Sequence, residues 1–300
     1  MKYIMMGTQK VSAVGLGAWQ FGEPGWGWGK EIQHEDALWF VHRAIELGIN
    51  FFDTAAIYGN GKSEEILGEA LEGRRHEAVV ATKVAPPLHP DRVKWAAERS
   101  LRRLNMSSVD LYQLHVPDNR VPIDQTMDAL RELMSEGQIH QVGVSNFGPS
   151  HWRRAEAALG SPVISNQVEY HLLERRYANG LFPHAHQEGR VIIAFSPLAQ
   201  GLLSGKYNSG NIPDDLRANF GIFNRDNLRR APAIVDVLRS VGQQYGATPA
   251  QVALAWLLRD PTVMVIPGVR SLEQLEANAA AADLELSEED ARRIDEVSMV

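Results

Sequence analysis

The chain has 300 residues, 44% hydrophobic and 22% charged, with a formal net charge of -7 and no cysteine. That much apolar material builds a large core and excludes a disordered chain, while bases scattered among a surplus of acids exclude a phosphate-binding nucleic-acid surface. The lack of cysteine rules out disulfides, thiolate nucleophiles and iron–sulfur clusters, and no metal site is expected.

The opening decapeptide MKYIMMGTQK lacks the apolar stretch and cleavage site of a secretory signal. The longest apolar run, Val191 to Phe195, is far short of the roughly 20 residues that a bilayer requires, so the expected location is cytoplasmic. Residues 1–10 are expected to form a small hairpin closing the bottom of the fold. From Ser12 onward, the runs VSAVGLG, INFFDTA, AVVATKV, SVDLYQLH, IHQVGVSN, PVISNQV, VIIAFSP and VMVIPG alternate with amphipathic segments at 35–47, 63–71, 91–104, 124–134, 151–159 and 249–258. Ser63, Asp124 and Thr248 read as helix start signals. Alternation of this kind builds βαβ units and a parallel sheet.

An open doubly wound sheet would alternate in the same way. The strand count and the absence of a dinucleotide fingerprint decide against it, since Gly15, Gly17 and Gly22 do not form GxGxxG. The expectation is an α/β protein: one (β/α)8 TIM-barrel domain over 1–300, with an N-terminal β-hairpin cap and long loops at its C-terminal face. Residues 200–230, rich in Gly, Asn and Asp, exceed the usual connection of about 2 to 6 residues and are expected to form a lid or binding loop.

In such a barrel the chemistry sits at the carboxyl ends of the strands. The runs close on Gly17 to Trp19, Asp53, Lys83, His115, Ser145 with Asn146, Gln167, Phe195 with Ser196, and Pro267 with Gly268. Each has a plain structural explanation: a lysine at the solvent end of a strand, a satisfied half-buried histidine, amides tying down loop carbonyls, a core phenylalanine. In FFDTAAIYGN, Asp53 and Tyr58 serve equally well as a helix cap and a surface cover. Their convergence on one rim favours a site instead. A phenol with a pKa of about 10 donates protons poorly near neutrality, so the Lys83 ammonium is expected to lower it. Asp53 keeps that lysine charged, and His115 can hold a carbonyl oxygen beside Tyr58.

Those stretches, with GINFFDTAAIYGNGKSEEILGEAL, SVDLYQLHVPD, NQVEY, FSPLAQGLLSGKY and VIPGVRSLEQLEAN, resemble the aldo-keto reductases over nearly the full length. The resemblance implies NADPH, or less often NADH, bound in an extended form without a Rossmann domain. It also implies a catalytic tetrad of Asp53, Tyr58, Lys83 and His115, with reversible reduction of a small aldehyde or ketone. Ser145, Asn146 and Gln167 would hold the nicotinamide carboxamide and Phe195 would stack on the ring. Gly17, Ala18 and Trp19 would line the same cleft. Ser196, Pro197, Leu198, Gln200, Gly201 and Lys206 would cover the pyrophosphate, leaving Pro267, Gly268, Arg270, Gln274 and Asn278 for the adenosine end.

Gly268 and Arg270 resemble the bacterial and potassium-channel-subunit-like branches of the family. The planar fork of Arg270 suits a 2'-phosphate, which favours NADP over NAD. Val116 stands where many relatives carry tryptophan, implying a less bulky pocket wall there. Trp19, Trp26 and Trp28 would provide aromatic walls, although Trp26 and Trp28, in a Gly-rich loop, could equally pack on the barrel surface. Two other classes remain: a non-catalytic NADP(H)-sensing regulatory subunit, and a lyase forming a Schiff base on Lys83. Neither a nucleic-acid nor a membrane partner is expected.

Overall fold

The computed structural model describes residues 1–219 and 221–299; Phe220, within the long 200–230 segment, lies outside the described residues. The N-terminal segment is an antiparallel hairpin, β1 (Tyr3–Met6) and β2 (Gln9–Ser12), pairing Ile4 with Val11 and Met6 with Gln9. Met6 and Val11 are buried. Gln9 Nε2 donates to Asp110 Oδ1 and the Ser12 N–H donates to Asn50 Oδ1, residues at the start of one strand and just before another. These bonds seat the hairpin on the end of the barrel opposite the strand C-termini, where the sequence pattern puts it.

The eight apolar runs each contain a strand: β3 (Leu16–Gly17), β4 (Phe51–Asp53), β5 (Val79–Val84), β6 (Val109–Leu114), β7 (Ile139–Ser145), β8 (Val163–Glu169), β9 (Val191–Phe195) and β10 (Val263–Val265). They pair in parallel and in chain order from β3 to β10. A parallel bridge between Val14 and Val265 joins the two ends. The Gly15 N–H donates to Val265 O at 2.8 Å and the Val265 N–H to Ala13 O at 2.9 Å, closing the (β/α)8 barrel. Every residue of β5 and β6 is buried because helices cover the outside and side chains fill the inside, which is why those runs are almost continuously apolar.

The outer layer comprises α1 (His34–Glu46), α2 (Lys62–Ala70), α3 (Pro90–Leu104), α4 (Ile123–Ser135), α5 (Pro149–Leu159), α6 (Ala178–Glu188), α7 (Arg225–Tyr245), α8 (Pro249–Leu257), α9 (Leu272–Ala280) and α10 (Glu288–Ser298). In α3, Val93, Ala96, Ala97, Ser100, Leu101 and Leu104 form the buried stripe, Pro90 starts the helix and Asn105 ends it in the left-handed region. Thr248 and Gln251 form a reciprocal capping box on α8, as their spacing suggests. Ser63 and Asp124 do not cap: Gly61 and Pro122 occupy those positions. Ser63 Oγ is instead drawn inward, donating to Ala18 O at 2.7 Å.

The long connection after β9 is shorter than expected, because α7 begins at Arg225; residues 199–204, 216–219 and 221–223 of that connection form 3-10 turns. Among the described residues, no helix is long and apolar enough to cross a membrane.

Trp152 of α5 is wholly buried, donates from Nε1 to Val163 O at 2.9 Å and meets the His184 ring edge-on, so it ties α5 and α6 to the start of β8. Trp152→Phe leaves that carbonyl unsatisfied and should lower the unfolding free energy by about 1–3 kcal/mol. A urea midpoint equal to wild type would contradict this tie.

Candidate functional site

Strand parity decides which side chains enter the barrel. Asp53 lies at the C-terminal end of β4 and Lys83 near that of β5; both are buried, and Lys83 Nζ donates to Asp53 Oδ1 at 2.5 Å, Thr54 O at 2.9 Å and Tyr58 OH at 3.1 Å. Tyr58 reaches the same point from the turn after β4. Asp53 Oδ2 accepts from Gln167 Nε2 at 2.7 Å and from Gln113 Nε2 at 3.1 Å. Gln113 was not anticipated, although its signal was available: it precedes His115 by two residues and therefore shares its inward parity.

The His115 ring stands edge-on to Tyr58 with centroids 5.8 Å apart, and its Nδ1 is buried without a hydrogen-bond partner among the described residues. Asn146 Nδ2 donates to His115 O at 3.1 Å and Ser145 Oγ at 3.0 Å, and Ser145 Oγ donates to Gln167 O at 2.9 Å. These three polar residues, at the C-terminal ends of β7 and β8, thus form one bonded cluster at the rim.

Electrostatics correct one expectation. Burial pushes the Tyr58 phenol up, the Lys83 ammonium pulls it down and the Asp53 charge pushes it up again, so the net shift is above the ordinary tyrosine value rather than below it. The phenol is protonated throughout the neutral range. Burial would strip the Lys83 proton, but the charge of Asp53, the phenol and their hydrogen bonds prevail and hold lysine above its ordinary value. His115 is pushed down to about 3, first by burial and then by the Lys83 charge, so its imidazole is neutral.

Asp53, Tyr58, His115, Ser145, Asn146 and Gln167 lie on the wall of a cavity of about 760 Å³, within the size range of ligand pockets, with Lys83 and Gln113 buried behind them. Gly17, Ala18, Trp19, Phe195, Ser196, Pro197, Leu198, Gln200, Gly201 and Lys206 line it, as do Pro267, Gly268, Arg270, Gln274 and Asn278 further along. Trp26 and Trp19 also face it, with centroids 4.6 Å apart, and Trp19 stacks on Tyr58 at 5.7 Å. Val116 does not line it: the chain bends outward after β6 and leaves the side chain 37% exposed, so the expected change in the pocket wall does not arise there. Trp28 is likewise outside the lining and packs beside His34. The exposed Ile57 and the buried Tyr207, neither anticipated, do face the cavity.

At the far end, Arg270 donates to Glu31 Oε2 at 2.6 Å and Asp215 Oδ2 at 3.2 Å, while its backbone N–H donates to Gln274 Oε1. Arg217 also grips Asp215, with NH2 at 2.6 Å from Oδ2. Three loops, after β3, β9 and β10, are therefore linked by one chain of charges. Burial would raise the Asp215 carboxyl, but Arg217 and then Arg270 hold it down to about 2.

Residues 13–299 match the Aldo/keto reductase family model. The chain is 48% identical over 289 residues to an uncharacterized oxidoreductase of Mycobacterium tuberculosis, covering 96% of this chain and 90% of that protein. It is 31% identical over 324 residues to the NADH-specific methylglyoxal reductase of Escherichia coli, covering 99% and 98%. Among solved structures, an aldo/keto reductase of Klebsiella pneumoniae in complex with NADP and acetate superposes with a TM-score of 0.80 at 30% identity, over 98% of this chain and 94% of that one.

The depressed His115 pKa has a signed consequence. The unfolded chain takes up a proton near pH 6.5 whereas the folded one resists until about 3, so His115 contributes stability above that range which falls away as pH drops through it. His115→Asn should therefore flatten the fall of the urea midpoint between those pH values. Parallel profiles for the two proteins would show that His115 titrates normally.

Proposed function

Because the chain belongs to the aldo/keto reductase family, we propose that it is an NADP(H)-dependent oxidoreductase reducing a small aldehyde or ketone to the alcohol, with Tyr58 as proton donor. The observation that carries this reading is the Lys83 ammonium bonded at once to Asp53 and to the Tyr58 hydroxyl on the cavity wall. In this reading Asp53, Tyr58, Lys83 and His115 form the catalytic group of one barrel domain, working on a small molecule in the cytoplasm.

The cavity suits an extended dinucleotide. Gln200 Oε1 is buried in its wall with no partner among the described residues, and Asn146, Ser196 and Gln200 hold positive φ angles of 62°, 48° and 56°. Non-glycine residues adopt that conformation at a cost, and such strain concentrates where backbone approaches a ligand. Phe195 provides an apolar face for the nicotinamide, the cluster of Ser145, Asn146 and Gln167 can bind its amide, and the 196–206 connection passes over the middle of the cleft. Once bound, the reduced nicotinamide supplies a hydride to the carbonyl carbon.

The chain's own residues supply the rest. Lys83 donates to the Tyr58 oxygen, which leaves the phenolic O–H free to point toward a substrate oxygen. Neutral His115 orients that oxygen without competing as an acid. As the proton leaves Tyr58, the phenolate stays beside the ammonium, and Asp53 keeps the ammonium charged. This arrangement disfavours the Schiff-base alternative, which needs a neutral, accessible lysine amine.

For the cofactor, the Klebsiella relative with its bound NADP supports the NADP reading, and Arg270 lies where a 2'-phosphate could be gripped. The Escherichia coli relative is named for NADH, which makes the preference a matter for experiment. Arg270 now holds Glu31 and Asp215, so a 2'-phosphate would take the place of at least one carboxylate.

Tyr58→Phe should cut turnover by about 10²- to 10⁴-fold, the range of general acid catalysis, while NADPH affinity stays near wild type. Absorbance loss at saturating NADPH with a panel of aldehydes and ketones measures this. Wild-type protein that binds NADPH and oxidises it with no member of the panel would point to the sensing-subunit alternative.

Arg270→Met should weaken NADPH by about 10- to 100-fold, the loss of a charge-assisted bond or two, and leave NADH unchanged. Equal losses for both cofactors would remove Arg270 from the 2'-phosphate.

A further inference from the structure

Glu64 is fully buried in the first turn of α2 and does not line the cavity. Its Oε1 accepts from Thr82 Oγ1 at 2.6 Å, and its Oε2 accepts from Arg103 NH1 at 3.1 Å. Thr82 immediately precedes Lys83 on β5. Arg103, in the last turn of α3, also donates to Ala56 O at 3.3 Å and to Asn60 O at 3.4 Å. Those carbonyls lie two residues before and two residues after Tyr58.

We propose that Glu64 and Arg103 are positioning residues for Tyr58: Arg103 clamps both sides of the turn that carries the phenol, and Glu64 fastens that clamp to the strand that carries Lys83. The proposal rests on the reductase reading given above. It deepens that reading by assigning the Tyr58–Lys83 distance to a buried group outside the cavity.

Three observations favour this over a simple staple between α2 and α3. The turn has an unusual backbone, since Gly59, Asn60 and Gly61 follow one another at φ of 52°, 54° and 95°. Glycine is the most flexible residue, so contacts from outside fix where the turn lies. The turn is also wedged. A Cβ at Gly59 would come within 2.7 Å of Gly22 O, and one at Gly61 would run into the Arg103 guanidinium. Moreover, a buried ion pair is a weak source of stability, because desolvation consumes most of its attraction. What this pair provides that apolar residues could not is a planar fork holding three oxygens from two segments.

The geometry that it guards has little slack. Lys83 reaches Tyr58 at 3.1 Å, the longest of its three bonds. An outward shift of about half an ångström takes that contact to about 3.6 Å, where it is no longer a hydrogen bond.

The test uses Arg103→Lys, which keeps the charge but cannot span both carbonyls, and Thr82→Val, which keeps shape but frees Glu64 from the strand. Both are assayed well below their unfolding midpoints. Arg103→Lys should lose about 10- to 100-fold in kcat, as expected when a reacting group is displaced by up to 1 Å, with the NADPH dissociation constant within twofold of wild type. Thr82→Val should show the same split at smaller size. Folded variants with a lower unfolding midpoint but wild-type kcat would make the cluster purely structural and overturn the proposal. Should Arg103→Lys not fold, wild-type kcat in Thr82→Val alone would overturn it.

A crystal structure of either variant gives a readout that needs no turnover. Tyr58 OH out of hydrogen-bonding reach of Lys83 Nζ supports the clamp, and an unmoved phenol refutes it. A wild-type enzyme without carbonyl reductase activity would sink the reductase reading separately, leaving the clamp to be judged by that structure.

Discussion

The site depends on one buried ion pair. Lys83 and Asp53 are almost wholly removed from water, and either charge left alone there would be very costly. Their 2.5 Å contact offsets part of that cost, and Thr54 O on one side and the amides of Gln113 and Gln167 on the other supply the remaining hydrogen bonds. The barrel makes such convergence possible. Asp53, Lys83, Gln113 and Gln167 come from four strands, and parallel pairing places Lys83 directly opposite Gln113 and Ser145 opposite Gln167. A slip of one residue in any of these strands would turn its polar side chain out into the helix layer.

That pair in turn determines the charge state of its neighbours. The same ammonium helps to keep His115 neutral and donates to Tyr58, while the depth of the site keeps the phenol protonated. The cation does not have to make tyrosine acidic in the resting protein. In the proposed proton transfer its role would be differential: it opposes what burial and Asp53 impose, and its attraction would grow as negative charge develops on the phenolic oxygen. A group that interacts more strongly with the later state than with the earlier one lowers a barrier, whereas one that merely shifted the resting equilibrium would not.

Strand number, strand order and most of the cavity wall were legible in the sequence, because parity and strand ends are local signals. The inward set Leu111, Gln113, His115 follows from alternation alone, whereas the closure of a run on its last polar residue singles out His115 and not Gln113. Other features depend on partners distant in sequence. Whether the ammonium or burial controls Tyr58 depends on depth, which no local pattern reports. Ser63 looks like a cap by type and spacing but turns inward because Ala18 O and Thr54 lie within reach. In α6 the internal Pro183, with His184 on the inner side and His186 on the outer, obscures the helical period. Val116 adjoins a site residue in sequence, yet the bend after β6 turns it to solvent.

The two ends of the cleft are built on different principles. At the Tyr58 end the polar groups project from strands or from a turn bonded to buried side chains, and their geometry is set by the backbone of the barrel. At the Arg270 end the ion pairs sit on loops: Arg270 holds Glu31 and Asp215, and Arg217 holds Asp215, with side-chain exposures of 52% for Glu31 and 18% for Asp215. An exposed carboxylate such as Glu31 gains little stability from its pair and exchanges readily, whereas the more shielded Asp215 costs more to displace. On the proposed reading, substitution at Glu31 would alter which ligand charge is accepted without disturbing the buried Lys83–Asp53 pair. On the proposed reading the reverse does not hold: a change at Gln113 or Thr82 would perturb the Asp53–Lys83–Tyr58 group, although neither residue faces the cavity. Binding preference and chemistry would then be separable, with loops carrying one and strands the other.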